Sequence, residues 1–320
     1  MTYSAGSLIQ AADYNSLAWG GTQGTYTASP VNIAYVMGVG NGVVGYGQAV
    51  TAINTVAAAG TVTAVQWSGL LTTLNAALGH QSGSGAVLTV SPTITAGNQI
   101  TYFSTVQTAV TTINTNAALF SAQGSTSTGT NDAANPTAAA TAALSYIRDT
   151  NVTFASANAA RYFFNAGGQI NFVCSATSAN ASTRSTTLRD MINQIGGVSA
   201  FRNTTNGGRT GTGGTIVTNN TALGYRNLTT SAQTIVDNDV AGIYSAHNAL
   251  VQVFCNTSDT TNGSISASVV FRVSLAAAAD DANGGAIDLT LNSRADIVFP
   301  ESTYLTTNSW GTPTITFDSV

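Results

Sequence analysis

Two histidines, two cysteines and thirteen carboxylates are the residues with which this chain could do acid–base, nucleophilic or metal chemistry. His80 and His247 each fall near a helix end or loop, where a satisfied surface or core imidazole is the simplest reading. Cys174 and Cys255 stand in strand-like runs among apolar neighbours, the setting of buried, inert thiols. Two cysteines do not define a framework, so a disulfide between adjacent strands stays an alternative. A Cys–His nucleophile would need Cys174 or Cys255 to meet His247, and core-facing sulfurs are poorly placed for substrate. The carboxylates offer one dense window, Asp280, Asp281, Asn283 and Asp288, whose hard oxygens suit calcium. Its spacing matches no complete calcium loop, and Asn-Gly-Gly at 283–285 also reads as a plain hairpin turn. Asp237 and Asp239 read as a strand-end turn, and no two carboxylates are singled out as a glycosidase pair. The chain has no Walker, HExxH or GxSxG pattern. The expectation is a protein without catalytic, cofactor-binding or metal-binding residues, and not an enzyme.

Charge is the anomaly of the composition. Only 7% of residues are charged, where about 25% is usual. All nine basic residues are arginine, no lysine occurs, and Glu301 is the only glutamate. With no lysine there is no Schiff-base amine and no lysine phosphate cradle. A surface built from Asn, Thr, Ser, Gln and Gly repels itself weakly and loses little when buried against another copy. This suits a subunit packed in an assembly, although compositional drift would give the same bias. A net charge of −4 with scattered arginines argues against the basic patch that nucleic-acid binding requires. The opening MTYSAGSLIQAADYN lacks the basic and apolar regions of a secretory leader, and no run is long enough for a membrane span. Asn-X-Ser/Thr sequons recur, as chance dictates in a chain this rich in those residues.

The elements that must position these side chains divide into three stretches: a mainly helical assembly or attachment region at 1–120, a low-complexity linker or loop at 121–142, and a sheet domain at 143–320. In the first, residues 7–19 form a short apolar-periodic opening and 36–48 a glycine-rich loop. Thr63 caps a helix running to about His80 with Trp67, Leu70, Leu71, Leu74 and Leu78 on one face. Asn98 caps a longer helix whose Phe103, Val106, Val110, Ile113, Ala117 and Phe120 follow heptad spacing. That seam either packs on the Trp67 helix or lines a trimer axis; burial of Phe103, Val106, Val110 and Ile113 is expected. Residues 121–142 contain no large apolar side chain, and no regular structure is expected there. Further on, a helix at 156–165 stops at Gly167-Gly168, a strand at 169–176 alternates, and a helix at 183–196 turns Leu188, Met191, Ile192 and Ile195 inward. Residues 203–214 form a flexible loop, strands occupy 250–255 and 265–275 around an Asn262-Gly263 turn, and two more lie at 286–292 and 295–299. The fold class is α+β, a helical N-terminal region followed by an antiparallel sheet with helices packed on one face.

Four segments carry a resemblance: AGSLIQAADYN at 5–15; GYGQ at 45–48 followed by AGTVTAVQWSGLLTTLNAALGHQSG at 59–83; ANAARYFFNAGGQINFVCSA at 157–176; and 250–300 with its long alternating strand and Asp-Asp turn. Together these resemble tailed-bacteriophage virion structural proteins, often from aquatic hosts. None of the segments is catalytic, so the resemblance implies a late, virion-borne structural role assembled in the host cytoplasm, without site chemistry. Arg161 to Asn165 within it reads as an aromatic anchor packed beneath the following strand. The expected function is a tail, neck or appendage subunit that self-associates as a homo-oligomer, as a trimer or hexamer for example, beside other virion proteins. The alternatives are a capsid decoration protein, or a host-attachment adhesin binding a surface glycan through loops 203–214 and 256–264. A virion-associated hydrolase is the least favoured class.

Overall fold

The computed structural model describes residues 9–26, 28–29, 31–83, 88, 102–240, 246–279 and 285–319. Among these residues, four α-helices come first: α1 (Ala11–Trp19), α2 (Ile33–Met37), α3 (Ala64–Ser82) and α4 (Phe103–Thr115). Thr63 starts α3 through a reciprocal capping box, its hydroxyl accepting from the Gln66 N–H while the Gln66 side chain accepts from the Thr63 N–H at 2.9 Å. The face of α3 carrying Trp67, Leu70, Leu71, Leu74 and Leu78 is buried, as expected. Phe103, Val106, Val110 and Ile113 of α4 are buried too. They pack inside one chain, with the Phe103 ring stacked on Trp67 at 6.1 Å, so the seam is used up against α3. α4 stops at Thr115, which leaves Ala117 and Phe120 beyond the helix. Asn98, the expected cap, lies outside the described residues.

Two antiparallel sheets follow, where one was expected. The first holds β1 (Gln123–Ser127), β2 (Asp132–Ala134), β3 (Thr137–Ala138), β5 (Gln169–Ser178), β6 (Gly197–Phe201) and β11 (Ile287–Pro300), in the order β1-β11-β5-β6 with β2 and β3 also along β11. The second runs β12-β4-β10-β9-β8-β7, from β12 (Thr314–Ser319), β4 (Leu144–Thr153), β10 (Ser268–Ala277), β9 (Asn248–Phe254), β8 (Gln233–Asp239) and β7 (Thr215–Asn219). The two meet at Phe172 of β5, which stacks on Phe271 of β10 with centroids 5.0 Å apart and ring planes 1° from parallel. α6 (Thr183–Ile195) packs across β5, β8, β9 and β11 through Leu188, Met191, Ile192 and Ile195.

The expectation of no regular structure at 121–142 is overturned. β1, β2 and β3 all pair with β11, the strand that replaces the two expected at 286–292 and 295–299. A ladder needs only backbone N–H and C=O groups, so a stretch without large apolar side chains can still form strands on a sheet edge. The segment runs along β11. It is fastened from the other side by Arg184 of α6, a fully buried guanidinium that donates to the carbonyls of Ala139, Ala140, Ala142, Ala278 and Gly285.

α5 (Ala157–Asn165) is the aromatic anchor of the sequence reading. Ser156 caps it, and Phe163 and Phe164 are buried among Phe154, Phe201, Tyr225 and Phe299. Arg161 is buried on the same helix. It donates to the carbonyls of Val39 and Val44 in the glycine-rich loop, tying the helical region to the sheets.

Candidate functional site

The sequence candidates disperse. His80 sits in the last turn of α3, wholly buried, its Nδ1 donating to Glu301 Oε1 at 3.0 Å. The second carboxylate oxygen of Glu301 accepts from the N–H groups of Thr303 and Tyr304, at 2.6 and 3.0 Å. Burial pushes the Glu301 carboxyl up, but these three hydrogen bonds and the His80 charge outweigh it and hold the group below the usual glutamate range. Tyr46 meets the imidazole edge-on at 4.7 Å, and its hydroxyl accepts from Gln81 at 2.9 Å. This node joins α3, the glycine-rich loop and the end of β11. Through these contacts the His80–Glu301 pair acts as a clasp between the elements.

Cys174 and Cys255 are free, buried thiols, which removes the disulfide alternative. Burial pushes Cys174 up to about 12, and burial likewise raises Cys255, so neither is poised as a thiolate. His247 is buried immediately before β9. Asp280, Asp281 and Asn283 lie outside the described residues, while Asp288 stands in β11. Asp237 and Asp239 belong to β8 itself. Both accept from the side-chain amide of Asn248, at 2.6 and 2.5 Å. Burial raises Asp237, the Asn248 hydrogen bond lowers it, and the Asp239 charge adds to the rise. Among the described residues no three His, Cys, Asp or Glu side chains come together as a metal site would require.

What the fold does assemble is an open cleft of about 640 Å³ that no sequence candidate marked as a whole. One wall is the turn after α4, with Leu119, Phe120 and Ser121; the Ser121 N–H donates to the His80 carbonyl at 2.8 Å, which anchors the wall to α3. The floor is Gly167-Gly168, between α5 and β5. Gly167 has φ +86, and a side chain there would run into the Phe120 ring. The opposite wall is the turn 202–205 after β6. It is held by backbone bonds from the Arg202 N–H to the Thr205 carbonyl and from the Tyr225 N–H to the Arg202 carbonyl, and by Arg226, which donates to the Asn203 side chain at 3.2 Å. Arg202 itself donates from Nε to Gln169 at 3.1 Å and places its guanidinium 5.8 Å from the Phe120 ring centre. Among the described residues, hydroxyls, amides, one guanidinium and apolar faces line the cleft, without a carboxylate, histidine or thiol. Such a set can hold a ligand. Of the loops expected to bind, only the start of 203–214 reaches it. The legible signals were Phe120 at the end of the heptad spacing and the paired glycines, read separately as a core residue and a helix stop.

No family model matches the chain, and neither a curated protein nor a solved structure is significantly similar to it.

Proposed function

We propose that this protein is a non-enzymatic structural subunit of a tailed-phage virion, in the tail, neck or another appendage, acting by self-association. The observation that carries the reading is the state of the sheet edges in a charge-poor chain. β7 and β12 end the second sheet, and each leaves one side of its backbone unpaired among the described strands. Edge strands are ordinarily guarded by lysine, proline or inward charge. Here there is no lysine in the whole chain and no proline in either strand. β7 carries no charge and exposes Val217, 61% accessible. The one charge of β12, Asp318, is engaged by the Asn151 side chain on the neighbouring β4 at 2.8 Å. Edges of this kind accept a strand from a second copy. The segments resembling virion proteins supply the setting, and the dispersal of the histidines, cysteines and described carboxylates supports a role without chemistry.

Two measurements test it. Light scattering after size exclusion is expected to give a closed oligomer, and Val217→Lys, at an exposed position, is expected to shift it towards monomer. A monomer at high concentration would overturn self-association. A labelled antibody on negatively stained particles is expected to decorate the tail, neck or an appendage. Decoration of the head would favour the capsid decoration protein instead, and no decoration would remove the virion role.

A further inference from the structure

The nine arginines fall into three groups. Arg148, Arg189, Arg272 and Arg294 pair with aspartates. Arg161, Arg184, Arg209 and Arg226 spend their outer nitrogens on neutral oxygens, chiefly backbone carbonyls. Arg202 alone, among the described residues, has a hydrogen bond from Nε only, so its two terminal nitrogens meet no protein acceptor. They belong to an exposed side chain on the cleft wall. Behind that wall lie Arg226 and Arg161, close enough for their charges to interact and likewise without a carboxylate partner among the described residues. In a chain of net charge −4 this is a local excess of positive charge. The cleft also collects exposed apolar surface. Of the four large hydrophobic residues exposed among those described, Val43 (41%) and Leu119 (52%) both line it. Exposed apolar atoms gathered beside an unshared guanidinium mark a surface that a ligand covers.

We propose that this cleft binds an acidic saccharide, its carboxylate taken by the terminal nitrogens of Arg202 and one apolar ring face lying against Phe120 and Leu119. The exposed Thr204 hydroxyl on the same wall suits a hydroxyl of such a ring. A carboxylate fits the planar fork of a guanidinium in two parallel hydrogen bonds, which selects a uronic or sialic acid over a neutral sugar. A volume of about 640 Å³ accommodates one or two sugar units and leaves the remainder of a chain in solvent. An acidic peptide would satisfy the arginine but brings no apolar ring face to Phe120 and Leu119, and tetra-aspartate in the titration below separates the two. The proposal stands apart from self-association, since the titration below and the labelling of particles fail independently.

The test is calorimetric titration of the full-length protein with trigalacturonate, sialyllactose, maltotriose and tetra-aspartate. Saturable binding of at least one of the two acidic saccharides is expected, about tenfold or more tighter than maltotriose, with affinity falling as salt is raised. Arg202→Gln alters an exposed side chain and is expected to reduce that binding about tenfold with an unchanged melting temperature. Leu119→Trp, at a position already exposed, fills the cleft and is expected to abolish binding while the chain stays folded. Absence of saturation with both acidic saccharides, maltotriose binding as tightly, an unaltered affinity in Arg202→Gln, or tetra-aspartate binding as well as the saccharide would each overturn the proposal.

Discussion

At His80 a buried imidazole donates to a buried carboxylate that also accepts from two backbone N–H groups. The Glu301 carboxyl is held below its ordinary value, so its contribution is fully present above the ordinary glutamate pKa of 4.5 and is lost as pH falls through the lower folded-state value. His80→Leu would leave that carboxylate buried with only its two backbone donors. Urea unfolding is expected to show a loss of about 3 kcal/mol at neutral pH, shrinking in acid as Glu301 takes up a proton. An equal loss at both pH values would show that the imidazole contributes only packing. Arginine plays a related part elsewhere. A guanidinium has five donors and cannot shed its charge, so when buried without a carboxylate it gathers carbonyl oxygens. Burial pushes Arg226 down to about 10, which still leaves it charged at neutral pH.

At the scale of elements, the strands at 121–142 depend on β11 for their hydrogen bonds and on Arg184 for their far end. Arg184→Met keeps the apolar stem in α6 and strands the carbonyls of Ala139, Ala140, Ala142, Ala278 and Gly285. The expected cost is about 3 kcal/mol or more, with faster amide exchange at 137–142 and little change in β5. Unchanged exchange in that stretch would mean that β11 alone holds it. α4 illustrates how a neutral surface is built. On its solvent side Thr108, Thr111, Thr112 and Thr115 each return a hydroxyl proton to the carbonyl four residues back, so their polarity is partly satisfied within the helix.

At the scale of the whole molecule, one apolar cluster runs from Ala11 through α3, α4 and both sheets to Trp310. Arg161 to the glycine-rich loop, Gln48 to Thr307 at 2.9 Å and His80 to Glu301 cross between the helical region and the sheets. Calorimetry is therefore expected to record a single cooperative transition with equal calorimetric and van't Hoff enthalpies. Two resolved transitions would show that 1–120 and 143–320 unfold separately.

The sequence by itself determined the elements whose side chains alternate or repeat. The Thr63 cap and Trp67 face of α3, the Ile170-Phe172-Cys174-Ala176 face of β5 and the inward face of α6 were legible because burial of one face dictates residue type at fixed spacing. The α+β class follows from the same patterns. Tertiary structure alone decided which strands pair, that the sheets are two, and that 121–142 joins β11, because backbone ladders leave no mark on side-chain type. It alone decided the cleft as well: Phe120, Gly167 and Arg202 lie far apart in the chain, and only the folded path sets a guanidinium with unshared donors beside an aromatic ring.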